Sequence, residues 1–220
     1  VSFQPSIVEN KINSFSASLI QSIITVVFVL LIFLGLRTGF LIAAMIPIIV
    51  SITFLIMSFF NIMVEQVSLA ALIIALGMLV DNAIVVSESI MVKMENGEDV
   101  ISAVKESSSE LVLPLLISSL TTCCAFLPIG LAQSDVGEFC KSLFQVISIT
   151  LIVSWVLSMT LIPLLCVLYI KVQKKEETYN GPIYKKYKSG LIFLLKKKYL
   201  SLIVMIIILV FGVIGINSVP

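Results

Sequence analysis

The sequence predicts an all-α membrane protein, and composition, continuous apolar runs and the placement of charge all support this fold class. Of the 220 residues, 59% are hydrophobic and only 12% are charged. Soluble domains of similar length are about half apolar and about one-quarter charged. Because so little of the chain is polar, the composition argues against intrinsic disorder, collagen and ordinary soluble enzymes. The apolar runs are continuous rather than alternating, which excludes a transmembrane β-barrel.

Six segments are long and apolar enough to cross a bilayer as helices. A spanning helix needs about 20 predominantly apolar residues, and the chain has such runs at residues 17–36, 40–60, 68–91, 111–131, 143–170 and 200–220. We expect the first five to form a transmembrane core over residues 17–172. An extracytoplasmic junction and helix lead-in (1–16) precedes this core, and a cytoplasmic linker (173–199) connects it to the sixth span.

Basic residues predict the orientation of these spans, because the cytoplasmic loops of membrane proteins are enriched in Lys and Arg. The connections after the first, third and fifth spans hold 12 of the 14 basic residues, nine of them after the fifth span. We therefore expect these connections in the cytoplasm and both ends of the chain outside it. Val1 is not an initiator methionine and Pro220 follows a hydrophobic run, so we interpret the chain as part of a longer protein.

Two cytoplasmic stretches have helical patterns of their own. Residues 92–110 carry seven charges and predict a short helix at the membrane surface. Residues 183–198 repeat apolar side chains at helical spacing with lysines between them, which predicts an amphipathic helix in the interface. Its lysines would face anionic lipid headgroups. A solvated basic linker is the alternative for this second stretch.

Asp81 stands apart from the other acidic residues, most of which fall in loops. It lies well inside the third span, about 20 Å along that helix and near the middle of the membrane. An ionised aspartate at that depth costs at least about 2.5 kcal/mol, so it persists only if it is paired, hydrated or protonated. We interpret Asp81 as a group that takes up and releases a coupling ion. The alternative is that it only bonds neighbouring helices together.

Polar and small residues near Asp81 fit an ion-relay site. Asn82 lies at the same depth, and Glu88 follows Asp81 by two turns and lies on nearly the same helix face. Gly77, one turn before Asp81, would allow another helix to approach closely. The next span carries a band of hydroxyls at comparable depth: Ser118, Ser119, Thr121 and Thr122. This band could hydrogen-bond Asp81 or hold water beside it, although helix packing alone also explains it.

Other features of the sequence exclude several kinds of metal site, catalytic site and nucleotide-binding site. The chain has no histidine, which excludes a Cys–His metal site and catalysis with a histidine base. An intramembrane aspartyl protease needs two aspartates that share a proton, and only Asp81 is available within the spans. There is no Walker loop, so ATP does not drive this segment. No basic residue lies in the middle of a span, and a cationic partner for Asp81 would have to come from other sequence.

Several blocks of sequence resemble one transporter family. Residues 77–88, Gly-Met-Leu-Val-Asp-Asn-Ala-Ile-Val-Val-Ser-Glu, resemble the fourth transmembrane helix of resistance–nodulation–division (RND) efflux transporters. The stretch from Asn96-Gly-Glu-Asp to Ala103, and then residues 114–128, look like the loop and fifth helix of that family. Residues 34–47 resemble the junction of its second and third helices. These blocks occur in the family's order over nearly the whole chain.

The resemblance implies a fold and an assembly. The six spans would be helices two to seven of twelve, in the hydrophobe/amphiphile (AcrB-like) branch, and residues 183–198 the cytoplasmic helix that links the two halves. The remaining parts would be extracytoplasmic porter domains and helices 1 and 8–12. The family implies a homotrimer in the bacterial inner membrane, with a periplasmic adaptor and an outer-membrane channel as partners. The lipid bilayer is the other expected partner, and nothing points to nucleic acid.

The resemblance also implies a mechanism, namely secondary active export of drugs, detergents or lipids in exchange for protons. The family relay is an Asp–Asp pair on helix four with a Lys on helix ten. Asp81 occupies the first of these positions, and Asn82 occupies the second, which departs from the pattern. We expect a proton as the coupling ion, with sodium as the alternative, and no other cofactor or metal. Supporting roles fall to neighbours of the pair: Gly77, Glu88, Ser118, Thr121 and Thr122.

Two other functions use related helical cores. The first five spans also resemble the sterol-sensing-type module of lipid transporters, so a lipid-binding, lipid-sensing or lipid-transporting module is an alternative. An accessory subunit for protein secretion is another. The sequence Asn82-Ala-Ile-Val-Val favours the drug-exporter pattern over both.

Overall fold

The computed structural model describes residues 4–131, 135–169 and 182–197, together with 202, 204–207 and 209–212. These residues form helices and their connections, with no strand among them. The helices are α1 (Gln4–Phe59), α2 (Gln66–Glu95), α3 (Val100–Gly130), α4 (Asp135–Tyr169) and α5 (Pro182–Lys196). The predicted all-α fold class is confirmed.

Among the described residues, five helical segments are long and apolar enough to cross a membrane. They are Ala17–Leu36, Thr38–Phe59, Gln66–Glu95, Val100–Gly130 and Cys140–Tyr169. Each segment corresponds to one of the predicted apolar runs, at 17–36, 40–60, 68–91, 111–131 and 143–170. Three of these runs end one residue after the corresponding segment, and no run begins before its segment. The second to fifth helical segments begin before the predicted runs because polar residues continue the helices beyond their apolar parts.

Helix α1 contains the first two of these segments and is broken between them at Gly35. Gly35 has φ 79° and ψ 166°, a backbone conformation that residues with a Cβ rarely adopt. The chain reverses direction there with hardly any loop. A Cβ placed on Gly39 would lie 2.8 Å from the backbone oxygen of Leu30. The two arms of α1 are therefore in backbone contact close to the break.

The boundary between α2 and α3 is a tight turn. Asn96 ends α2, and Gly97 follows it with φ 95°. Asp99 caps the start of α3, since its carboxylate accepts a hydrogen bond from the backbone N–H of Ile101 at 3.3 Å. This cap satisfies one of the unpaired N–H groups of the first turn. The predicted separate surface helix over residues 92–110 is therefore wrong, because this stretch consists of the end of α2, a turn and the start of α3.

The pair α2 and α4 forms the centre of the bundle, and α1 and α3 each contact both of them. Three alanines, Ala71, Ala75 and Ala83, are buried on the central face of α2, with Leu79 one turn before the last of them. Such residues let helix backbones approach closely in a membrane. On α4, Val146 and Ile147 are fully buried. The outward faces of the bundle carry many exposed apolar side chains, including Phe28, Leu55 and Leu164, as helices in contact with lipid do.

The chain divides into two compact units, residues 1–173 and 174–220. In the second unit α5 coincides with most of the predicted amphipathic segment 183–198, and Tyr187, Leu191 and Leu195 are exposed on it. The rest of the predicted linker (173–199) lies outside the described residues, except for residue 197. Of the predicted sixth span (200–220), the described residues are helical and the others lie outside the description. In the predicted junction (1–16), α1 is already helical from Gln4.

Candidate functional site

Asp81 lies near the middle of α2. The helix begins after Glu65, whose backbone N–H donates to the hydroxyl of Ser68 at 2.7 Å. It continues without a proline to Glu95, and a helix of 30 residues is about 45 Å long. Asp81 is about 22 Å from the start of this helix. The structure thus holds the carboxyl at the depth of the bilayer centre if α2 crosses a membrane.

The side chain of Asp81 faces outward from the bundle. It belongs to a row of exposed or half-exposed positions, here called the α2 stripe: Ile74, Gly77, Asp81, Val85, Glu88 and Val92. Residues spaced by three and four positions share one face of a helix. In the part of the chain that the structure describes, Asp81 makes no side-chain hydrogen bond or ion pair. Its carboxyl is accessible to a partner from outside the bundle.

Gly77 and Glu88 flank Asp81 on the α2 stripe. A Cβ placed on Gly77 would meet no described atom within 4 Å. The close helix approach predicted at Gly77 would therefore have to come from a helix other than the described ones. Glu88 is exposed and lies about 10 Å along the helix from Asp81, towards the end that carries Lys93. The two carboxylates share a face, as predicted, but are too far apart for a hydrogen bond.

Asn82 faces the interior instead. Its side-chain amide donates to the hydroxyl of Ser119 on α3 at 3.2 Å. Both side chains are buried, with exposed fractions of 6% for Asn82 and 4% for Ser119. Successive residues of a helix point about 100° apart. The predicted relay pair is thus divided between two surfaces, with Asp81 outside and Asn82 in the seam between α2 and α3.

The predicted hydroxyl band on α3 does not bond Asp81. Thr121 donates to the backbone oxygen of Ile117 at 2.8 Å, and Thr122 donates to that of Ser118 at 3.0 Å. Ser118 itself is exposed. Ser119 is the member of the band that reaches α2, and its partner is Asn82. The hydroxyl band therefore bonds to Asn82 and not to Asp81, the residue before it.

Sequence reasoning missed a second polar contact behind Asp81. The hydroxyl of Ser154 on α4 donates to the backbone oxygen of Leu79. Ser154 is fully buried, as are Thr150 and Ser158, one turn before and one turn after it. Their spacing of four residues inside an apolar run was the available signal. Ser154, a small residue, thereby joins α4 to α2 within one turn of Asp81.

The end of α2 that follows Glu88 is joined to α3 by charge. Lys93 contacts the carboxylates of Glu106 at 3.2 Å and Glu110 at 2.9 Å. Nearby, the hydroxyl of Ser89 donates to that of Ser107 at 3.0 Å. Together with the Asn82–Ser119 bond, these contacts hold α2 against α3 between residues 82 and 93 of α2.

No group of three or more Cys, His, Asp or Glu side chains in the described ranges is placed to hold a metal ion. Asp81 and Glu88 are the acidic side chains on the α2 stripe, and they are two helical turns apart. Each of these two carboxylates therefore stands alone on the α2 stripe.

The sequence model of the AcrB/AcrD/AcrF family matches residues 4–220. The swarming motility protein SwrC of Bacillus subtilis is 27% identical over 203 residues, which cover 88% of this chain and 19% of that protein. The multidrug resistance protein MdtC of Escherichia coli O139:H28 is 32% identical over 152 residues, which cover 68% of this chain and 15% of that protein. MdtC of Cronobacter sakazakii is also 32% identical, over 153 residues.

This chain therefore spans less than one-fifth of the length of these curated relatives. The family match extends over both units, from the beginning of α1 at Gln4 to the last residue of the chain, Pro220. It includes the helix that carries Asp81 and the two helices packed behind it. The resemblance that the sequence motifs indicated is confirmed, and the chain belongs to the AcrB/AcrD/AcrF family of RND transporters.

Proposed function

We propose that this chain forms half of the transmembrane domain of an exporter of drugs and other amphiphiles that is driven by the proton-motive force. The proposal depends on one observation, the outward-facing carboxyl of Asp81 midway along an apolar helix. The name of the MdtC relatives, multidrug resistance protein, supports drugs as the substrate class. Membership of the AcrB/AcrD/AcrF family favours transport over a lipid-sensing module or a secretion subunit.

The position of Asp81 is compatible with a coupling site, but its ionised form is incompatible with contact to lipid. An ionised aspartate at the bilayer centre costs at least about 2.5 kcal/mol. The seam residues Asn82 and Ser119 are bonded to each other, so they do not neutralise it. Asp81 is therefore stable if protonated, or if another part of the transporter supplies water or a cation.

These two states of Asp81 give the mechanism. Without its proton, Asp81 attracts a cationic side chain of the second half of the transporter. With its proton, the carboxyl is neutral and this attraction is lost. The difference in attraction shifts α2 relative to the second half, and the shift is transmitted to the parts that bind the exported molecule. Glu88, on the same α2 stripe and nearer to Lys93, accepts the proton on its way to the cytoplasm.

The proposed assembly follows the family. The core (17–172) and the sixth span (200–220) are helices two to seven of an inner-membrane protein, and the linker (173–199) lies on the cytoplasmic side. Both ends of the chain then face the extracytoplasmic side, where porter domains select the substrate. The complete transporter is a homotrimer that works with a periplasmic adaptor and an outer-membrane channel. The distribution of basic residues supports this orientation.

Replacing Asp81 by Asn in the full-length transporter tests the proposal. Asn has the shape of Asp but does not titrate at physiological pH. We expect Asp81→Asn to reduce substrate export to that of membranes without the transporter, at normal expression. Transport is measured in proteoliposomes with a pH gradient, and again with a sodium gradient at constant pH. Export driven by the sodium gradient alone would assign sodium as the coupling ion.

Asp99→Asn is the matched control. It makes the same chemical change at an exposed helix cap, and Asn caps a helix about as well as Asp. We expect it to export substrate at the wild-type rate. Wild-type export by Asp81→Asn would show that Asp81 does not couple ion movement to transport, and the proposal would be wrong.

A further inference from the structure

The departure from the family pattern at Asn82 has a structural role of its own. Asn82 is buried, and its amide nitrogen lies 3.2 Å from the hydroxyl oxygen of Ser119. An amide does not gain or lose a proton at physiological pH, and this one is already used as a donor. A bond between two buried side chains on different helices resists rotation of one helix against the other. Rotation of α2 would move Asp81 away from its outward position.

Charged groups are absent from the other surfaces packed against this part of α2. The sequence contains no Asp, Glu, Lys or Arg between residues 38 and 59 on α1, 111 and 130 on α3, or 142 and 169 on α4. The titratable side chains there are Cys123 and Cys124 on α3 and Cys166 and Tyr169 on α4. On α2 the nearest ones are Glu88 and Lys93. Within the described bundle, Asp81 is the one carboxyl at its depth.

We propose that Asn82 is a positioning residue, whose bond to Ser119 fixes the rotation of α2 against α3 so that Asp81 alone carries the coupling ion at this depth. This inference rests on the proposed function, because it assumes that Asp81 is the coupling group. It assigns different tasks to the two residues at the relay positions. Asp81 binds the ion, and Asn82 holds Asp81 where the second half of the transporter can reach it.

The experiment measures transport against pH for the full-length protein in proteoliposomes. Asn82→Ala and Ser119→Ala each remove one partner of the bond. We expect each to lower the transport rate about twofold to tenfold. Loss of the buried hydrogen bond reduces by about that factor the preference for the rotation of α2 that turns Asp81 outward. Both should move the midpoint of the pH profile in the same direction, because both let Asp81 change its surroundings. The double variant should be no slower than the slower single variant, since the bond is already lost.

Two further variants separate positioning from other roles. Ser109→Ala removes an exposed hydroxyl of α3 that bonds only to its own helix, and we expect neither rate nor midpoint to change. Asn82→Asp keeps a partner for Ser119, whose hydroxyl can donate to the carboxylate. It also adds a second titrating group, so its pH profile should show a second ionisation that the wild type lacks.

Three results would overturn the inference. The first is complete loss of transport in Asn82→Ala at normal expression, because Asn82 would then belong to the relay itself. The second is a double variant whose loss is the product of the two single losses. The third is a lower rate with an unchanged pH midpoint in both single variants, which would indicate a purely structural bond. Asp81→Asn is measured in parallel and tests the proposed function separately, because this variant keeps the bond between Asn82 and Ser119. Wild-type transport by Asp81→Asn would contradict the proposed function, whatever the Asn82 variants show.

Discussion

The contact between the two arms of α1 makes Gly39 sensitive to the smallest possible side chain. A Cβ at this position would lie 2.8 Å from the backbone oxygen of Leu30 and 3.1 Å from its carbonyl carbon. It would also lie 3.1 Å from the Cα of Leu31. All three atoms belong to the backbone of a helix, so none can rotate out of the way. Gly39→Ala therefore forces the two arms apart.

The size of this effect follows from the distances. To bring the added Cβ to an ordinary contact of 3.4 Å from the oxygen of Leu30, the arms must separate by about 0.6 Å. Overpacking a tight seam in this way costs about 1–3 kcal/mol. Because every 1.4 kcal/mol is a factor of ten, local opening of the hairpin should become about 5-fold to 150-fold more frequent.

Hydrogen exchange of the full-length protein in lipid nanodiscs measures this opening directly. Peptides from residues 26–44 of Gly39→Ala should exchange faster than those of the wild type, while peptides from α4 should be unchanged. Gly190→Ala is the control, since a Cβ there meets no described atom within 4 Å. Exchange at the wild-type rate in the α1 peptides of Gly39→Ala would refute the backbone contact.

Two further predictions concern Glu88 and Ser154. Glu88→Gln should slow transport by less than Asp81→Asn does, because Glu88 only passes the proton on in the mechanism that we propose. Glu95→Gln, an exposed neighbour on α2, is its control in the same transport assay. An unchanged rate would remove Glu88 from the path. Ser154→Leu should destabilise the protein by about 1–3 kcal/mol, because a large side chain would be forced against Leu79. Ser154→Ala should cost only about 0.6 kcal/mol, and equal melting temperatures of the two variants in detergent would contradict the tight α2–α4 packing.

Apolar length predicted the five described spans because lipid imposes the same requirement on every spanning helix. The turn at Asn96 and Gly97 is not predicted by charge, because the seven charges of residues 92–110 have the pattern of one surface segment. In fact they are the ends of two helices that lie side by side, where Lys93 meets Glu106. Charge content indicates that a stretch leaves the membrane, but the residues that stop and start a helix decide where the helices end.

The partner of Asn82 could not be predicted in the same way. Helical periodicity shows which residues share a face, as it did for Asp81 and Glu88. It does not show which neighbouring helix that face meets, because this depends on the rotation of each helix in the bundle. Four hydroxyls on α3 were therefore equivalent in the sequence, and only Ser119 is turned towards α2. Ser154 was missed for the same reason.

The orientation of α2 has a consequence for how the bundle is used. Its inward face consists of apolar and small side chains, including Leu79 and Ala83. The amide of Asn82 bonds to Ser119 on α3, and the backbone oxygen of Leu79 bonds to Ser154 on α4. If Asp81 served only to bond these helices together, it would be expected on that inward face. It lies instead on the outer surface, where lipid would penalise its charge. A carboxyl in this position is stable if it is protonated or if it meets water or a cation on the α2 stripe, and the ion-coupling site that we propose between two halves of a transporter uses both states.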